Sequence, residues 1–559
     1  MKKNVLTLIC LFSFFVHYGQ TKVSWGDEFK LRKGSTDLTV IKADATGVYL
    51  EESHLIRSAG FWRPNERKSS ILVKLNSSMG ELFRKDYDHD LKGKDLENFI
   101  FIADKLYLFA SSLDKKAKTL NLYAAELDKG SGDIKSDWKE ISNWDLSEKG
   151  SDVQFKISPN SDTSKIVLTS TNTGKSENRY EILTLNATLH PAGKSFSISN
   201  EFDPKTFQVE DFVYTPSGNA VLVGRIYEYE EGKKKKDKNL IFKNYNIRVY
   251  DNHGQMIKEL VTDIDGKFLV NGKMIQLKNQ IVLAAFYSNE KKKKEINGLL
   301  VERIDPVTGN IISSTKKELN NSLLSEVEDE DSKGSKKNDN DDAEGFSSNL
   351  VFRNFYATPD NGLVILSEKY SMRINRSTST INTGMGTTST SNSVMEVYES
   401  QDIYISKISA NGNIDWLDVL PKSQYEEVQV GSSLYSGSPL FMLTTYFTGG
   451  TNRPFFSGFG CLPENNTLNI FFNDDERNAD VVSAGKKIKK VTRFSRTDCF
   501  QVRLDLLTGK LTRKILFSNR DIPPAMPRLG VVFDKTLYVT GKEEAGWGKS
   551  KVAVGKISS

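Results

Sequence analysis

The stretch DIYISKISANGNIDW, residues 402–416, carries apolar side chains at Ile403, Ile405 and Ile408, breaks at Asn411-Gly412, and resumes at Ile414 to Trp416. Two apolar runs flanking an Asn-Gly turn mark a β-hairpin. The same form recurs as SILVKLNSSMGELF (70–83), NLYAAELDKGSGDI (121–134), YEILTLNATLHPAG (180–193), YNIRVYDNHGQMI (245–257), LLVERIDPVTGNI (299–311) and FQVRLDLLTGKL (500–511). An eighth copy, KVAVGKISS, occupies residues 551–559.

The last strand residues before each turn are Leu75, Leu127, Leu185, Tyr250, Ile304, Ile408, Leu504 and Ile557. Five of the seven spacings fall between 52 and 65 residues; the other two, 104 and 96, contain insertions. Two more strand-like runs precede each hairpin, as in NLVFRNFYATP (349–359) and NGLVILSEKYS (361–371). Each unit therefore reads as four antiparallel strands. One such sheet cannot bury both faces; a ring of them does so and protects the edges. The expected fold is all-β: a single closed β-propeller over residues 22–559, of eight four-stranded blades, or seven if the weak third unit is discounted. The eighth copy has three strands, and VSWGDEFKL (23–31) is an orphan strand that can complete it.

The pattern DNGLVILSE followed by DIYISKISANGNIDW resembles the repeat of secreted β-propeller proteins common in Bacteroidetes-type bacteria. The match is good over residues 359–416 and looser elsewhere. The resemblance implies the fold and export, and carries no catalytic residue.

Residues 1–20 read as a separate object. Lys2 and Lys3 precede an apolar run, VLTLICLFSFFV (5–16), and HYGQ ends it. This is the layout of a cleavable secretory signal, and its apolar core is too short to span a bilayer. Ile9 stands where a lipoprotein site before Cys10 needs a small residue, so no lipidation is expected. Export places the chain in the periplasm or outside the cell. The formal charge is +5, and loss of Lys2 and Lys3 lowers it, which is no nucleic-acid footprint. Cys461 and Cys499 are the cysteines beyond the signal. An oxidising compartment permits a Cys461–Cys499 disulfide, but the strand layout sets them near opposite ends of one blade, so two unpaired thiols are favoured.

Function is sought on the long loops between second and third strands. Two hold lysine runs, Lys233, Lys234, Lys235 and Lys236 in the fourth unit and Lys291, Lys292, Lys293 and Lys294 in the fifth. AGKKIKKVTRFSR (484–496) extends the theme in the seventh. Solvated hairpin tips explain such runs; an anion-attracting rim is the sharper reading. The acidic insertion 325–345 is expected to be disordered, to share the lysine face and to screen it. The Ser/Thr-rich insertion 373–394 is expected as a loop. Trp62 and Arg63 in the first unit and Trp547 in the eighth would meet once the ring closes, as a sugar-stacking or protein-binding rim. Packing of those rings onto the blades is the alternative.

Catalytic motifs are lacking. There is no GxSxG, HExxH, P-loop or paired-cysteine metal site. His190 and His253 fall in hairpin turns of different units, so no histidine ligand set is expected; no metal and no cofactor are expected. The expectation is an exported, non-catalytic binding or scaffold protein of the bacterial envelope that recognises a protein or glycan through one face. A propeller-fold hydrolase of polysaccharide is the alternative, so enzymatic activity is left open. No nucleic-acid partner and no transmembrane segment are expected.

Overall fold

The computed structural model describes residues 21–32, 35–58, 65–148, 152–160, 163–173, 178–192, 195–199, 206–215, 217–229, 240–261, 266–277, 280–290, 295–319, 327–328, 346–347, 349–382, 388–430, 453–543 and 551–558. The proposed signal, residues 1–20, lies outside them. Among the described residues there is no α-helix, and none long and apolar enough to cross a membrane. The strands form eight antiparallel sheets with a four-stranded path, each built from consecutive chain segments except the last. Sheets one to seven occupy residues 35–86, 95–145, 152–199, 207–261, 268–318, 350–420 and 460–518. Sheet eight takes three strands from residues 531–558 and its fourth from the N-terminal side. Lys22–Trp25 pairs with the final strand, Lys22 opposite Ser558 and Trp25 opposite Gly555, and Phe29–Lys30 pairs further along it.

The recurring hairpin turns have a common local cause. The residue after the third strand is mostly Asp or Asn, and its side chain accepts backbone N–H groups of the turn. Asn76 takes those of Ser78 and Gly80, Asp128 those of Gly130 and Ser131, Asp251 those of His253 and Gln255, and Asp505 those of Leu507 and Thr508. Such Asx turns fix the register of the strands they join. In the opening stretch Gly412 adopts φ 95°, a conformation that favours glycine.

Packing between sheets follows a period of two. In Gln280–Ser288, the side chains of Ile281, Leu283 and Ala285 join a core cluster with sheet four. Val282, Ala284 and Phe286 join a different cluster with sheet six. A strand buried on both faces reads as a continuous apolar run, as QIVLAAFYS does. Eight clusters of this kind occur; seven join successive sheets, and the eighth joins Val552 and Val554 of sheet eight to Leu38, Val48 and Val73 of sheet one.

Hydrogen bonds repeat the same succession. The hairpin turn of one sheet is held by a side chain of the sheet before it: Lys129 O by Lys74, Ala187 O by Tyr107, Pro306 O by Asn219, Ser409 O by Arg303 and Leu507 O by Trp416. Lys556 of sheet eight donates to Ser77 O of sheet one. First strands approach one another: Ser35–Asp44 lies against Val531–Phe533, and Phe268–Leu277 against both Phe207–Tyr214 and Leu350–Ala357. Fourth strands such as Met256–Val261 are largely exposed.

Two details differ from the sequence reading. The Ser/Thr-rich stretch 373–394 continues the two middle strands of sheet six: Leu363–Asn382 and Thr388–Ile408 pair as far as Asn382 opposite Thr388. Threonine-rich sequence suits an extended strand as well as a loop. Gln424–Val430 adds a further strand to that extension. The cysteines are free and buried, as favoured, but the reason is facial. Cys461 joins the cluster shared with sheet six, and Cys499 the cluster shared with sheet eight. Their side chains leave sheet seven on opposite faces.

Candidate functional site

The residues singled out for binding, Trp62, Arg63, Trp547, Lys233 to Lys236 and Lys291 to Lys294, lie outside the described residues. One end of the sheets carries the starts of the first strands and the connections between second and third strands. The loop of sheet seven on this side contains the short strand Ile488–Lys489, and Val327–Glu328 of the acidic insertion pairs with it in parallel. Directly after that insertion, Phe346–Ser347 pairs with Glu295–Ile296, which follows the lysine run of sheet five in sequence. One segment within the acidic insertion and the residues directly after it thus pair beside lysine-bearing sequence. Lys490 lies over the ring of Tyr425 with its Nζ 5.0 Å from the centroid.

Below this end, sheets six and seven contain a network of buried charges. Glu368 is fully buried. Arg353 Nε donates to its Oε2 at 2.6 Å, Lys422 Nζ lies 2.8 Å from its Oε1, and Ser400 donates to the same oxygen. Burial alone would raise this carboxyl; Arg353 and Lys422 overcome it and hold it at about 2. Lys422, equally buried, is pushed down by desolvation and donates on to Gln424 Oε1 at 3.1 Å. That oxygen also accepts the Gly458 N–H at 2.7 Å. Glu426 takes the N–H groups of Phe455, Phe456 and Ser457 at 2.7, 2.9 and 2.7 Å. With no cation among these donors, burial leaves its pKa raised. The aromatic stretch RPFFSGFG (453–460) is therefore packed, with Phe455 and Phe459 buried. Beside it, Asp474 meets Arg513 at 2.6 Å and Asn478 Nδ2 at 2.7 Å. Here burial outweighs one guanidinium, and the carboxyl stays above its ordinary range.

These groups support the wall of a cavity of about 320 Å³ between the first strands of sheets six, seven and eight. It is lined by Arg353, Asn354 and Tyr356, by Phe459, Gly460 and Cys461, and by Arg528, Gly530 and Val532. Tyr356 and Val532 stand one residue from the turns that join the first and second strands of sheets six and eight, and Cys461 pairs at mid-strand with Ile470, so the cavity lies from the middle of the sheets toward the end opposite the long loops. Arg528 is pinned by Nε, 3.2 Å from Pro454 O. Burial pushes the Cys461 thiol up to about 12 and raises Tyr356 as well. Both are neutral near pH 7, so Cys461 offers no thiolate nucleophile there. The lining combines two guanidinium groups, an amide and apolar walls, and contains no carboxylate. It suits a ligand with carbonyl or anionic oxygens, and provides no acid pair of the kind glycoside hydrolysis uses.

Sequence reasoning missed Arg353, Glu368, Lys422, Glu426 and Arg528. Apart from Gln424, two residues from Lys422, the partners named for them are 15 to 74 residues away, and no local spacing marks them. It also missed a grouping in sheet one. Among the described residues, His54, Asp86 and Asp88 could hold a metal ion, the one such set that comes together. His190 and His253 remain in separate turns, as expected.

No protein-family model matches the sequence, and no curated protein matches it. Solved structures are similar at low identity. The WD40 domain of SCAP from fission yeast is 10% identical with a TM-score of 0.36, over 96% of this chain and 94% of that one. Apo prolyl oligopeptidase B from Galerina marginata is 8% identical with a TM-score of 0.35, over 95% of this chain and 55% of that one. The chain thus spans about half the length of that oligopeptidase. An ACO/RPE65 chimera is 10% identical with a TM-score of 0.28, over 74% of this chain and 94% of that one.

Proposed function

We propose that the chain is a single closed β-propeller of eight blades that works as a non-catalytic binding or scaffold protein at the bacterial cell envelope. On this reading residues 1–20 direct export, and the loop-bearing face recognises a protein or glycan. Closure is supported by the pairing of Lys22–Trp25 with Lys551–Ser558 and by the core cluster joining sheets eight and one. The binding reading is carried by the cavity between the first strands of sheets six, seven and eight, whose arginines are fixed by buried partners before any ligand arrives. Pre-positioned donors lose little freedom on binding, which favours recognition.

The test compares wild type with Arg528→Glu in capture of envelope proteins and on a glycan array, with thermal unfolding alongside. Loss of a specific partner or glycan with unchanged unfolding supports the proposal. Undiminished capture removes the cavity from recognition. Release of reducing ends from an envelope polysaccharide would instead favour the hydrolase reading.

A further inference from the structure

In sheet one, on the same loop-bearing side, four side chains converge around a single nitrogen. Arg32 Nη1 lies 2.5 Å from Asp86 Oδ2, 2.9 Å from Asp88 Oδ2 and 3.1 Å from His54 Nε2. His54 is only 6% exposed. Its Nε2 also stands 2.7 Å from Asp88 Oδ1. A ring nitrogen carries either a lone pair or a proton. As a lone pair, Nε2 suits the guanidinium and opposes the carboxylate. As an N–H, it suits the carboxylate and opposes the guanidinium. The Nδ1 atom is buried with no hydrogen-bond partner among the described residues, so nothing fixes the tautomer from behind.

A divalent cation near the position of Nη1 removes that conflict. It would accept the Nε2 lone pair and an oxygen of each carboxylate together. The three donor atoms already lie within 4.8 Å of one another. One imidazole nitrogen with two carboxylate oxygens suits Zn²⁺ and similar transition ions, and three protein donors leave a further position for water or a ligand oxygen. We propose that His54, Asp86 and Asp88 form a divalent transition-metal site of the Zn²⁺ type, which Arg32 occupies with its own charge until metal displaces it. The Arg32 side chain is 41% exposed, so it has solvent to move into. Its backbone N–H can stay on Glu52 Oε1, which keeps the chain anchored when the side chain leaves. Glu52 is itself held by Arg84 at 2.8 Å.

The experiment is equilibrium dialysis of the untagged full chain against Zn²⁺ at neutral pH, with metal counted and thermal unfolding followed in parallel. Wild type should bind one equivalent and unfold at higher temperature with Zn²⁺ than without it. His54→Ala and Asp88→Asn should lose both effects. Arg32→Ala, which removes the competing cation and none of the ligands, should bind more tightly than wild type. If a ligand variant does not fold, Arg32→Ala still decides. No metal on either wild type or Arg32→Ala, or an affinity unchanged by Arg32→Ala, overturns the proposal and leaves the guanidinium as the only cation of the site. Retention of the equivalent by both folded ligand variants overturns it as well.

Discussion

Glu368 and Asp474 are both fully buried carboxylates, yet their titration moves in opposite directions. The difference is the number of cations. Two positive groups face Glu368, and one faces Asp474. Desolvation costs several kcal/mol for each buried ion, and a single partner does not offset it. Removing one member therefore leaves an uncompensated charge. We predict that Glu368→Gln lowers stability by about 3 kcal/mol, because Lys422 stays buried without its counter-charge. Replacing Glu368 and Lys422 together by Met should recover part of that loss, as measured by denaturant unfolding, the remainder being the Arg353 guanidinium left without its counter-charge. A double variant as unstable as the single one would mean that shape rather than charge is at stake. The pH dependence follows from the same geometry. The folded-state pKa of Glu368, about 2, lies below the ordinary glutamate value near 4.3. Its contribution is then fully present above about pH 4.3 and is lost as pH falls toward 2. Between those values the stability of Glu368→Gln should fall less steeply with acid than that of wild type. Parallel slopes would show that Glu368 does not titrate there. Asp360 adds to the same acid window: a hydrogen bond from the Lys407 ammonium holds its carboxyl at about 2.

At the scale of elements, the N-terminal strand tests how the two chain ends are joined. Trp25 packs edge-on to Phe517, with ring centroids 5.4 Å apart. Its ring also covers Gly555, where an added Cβ would fall 3.0 Å from three ring atoms. Trp25 is half-buried against the cluster joining sheets seven and eight, so we predict that Trp25→Ala costs about 2–3 kcal/mol, below the full range for removal of a core aromatic. Gly555→Val should destabilise for the opposite reason, overpacking. Combining the two should cost less than the sum, since the small side chain makes room for the large one. Strict additivity would show that the strand is not seated where the register puts it. The hairpins were legible in the sequence because their causes are local: an Asp or Asn, a turn and two short strands within about a dozen residues. The orphan strand was legible for a related reason, since one unit lacked a strand and one strand lacked a unit. The extension of sheet six was not, because Ser and Thr serve loops and strands alike. The charges around Glu368 were illegible because Arg353, Ser400 and Lys422 come from three separate strands or their ends, and nothing in their spacing ties them together.

At the scale of the whole molecule, we propose that opposite charges share one side. The insertion 325–345 holds nine acids and three lysines. Val327–Glu328 within it pairs with Ile488–Lys489, and Phe346–Ser347 just after it pairs with Glu295–Ile296, each next in sequence to a group of lysines. If its acids screen those lysines, the effect must be local, because exposed charges lose sight of each other beyond about 10 Å at ordinary ionic strength. Retention on an anionic resin is then an ambiguous measure, since removal of the tract changes the net charge as well. Site-resolved amine labelling separates the two. We predict that neutralising the acids of 329–345 to Asn and Gln raises the labelling of Lys486, Lys487, Lys489 and Lys490 at low salt. Lys258 and Lys514, in the outer strands of sheets four and seven, should stay unchanged and serve as internal controls. Added salt should erase the difference between wild type and variant, because mobile ions take over the screening. A uniform rise at all of these lysines would reflect net charge alone. No rise at the four loop lysines would mean that the insertion is anchored beside the lysine face without shielding it, leaving those lysines open to an anionic partner at all times.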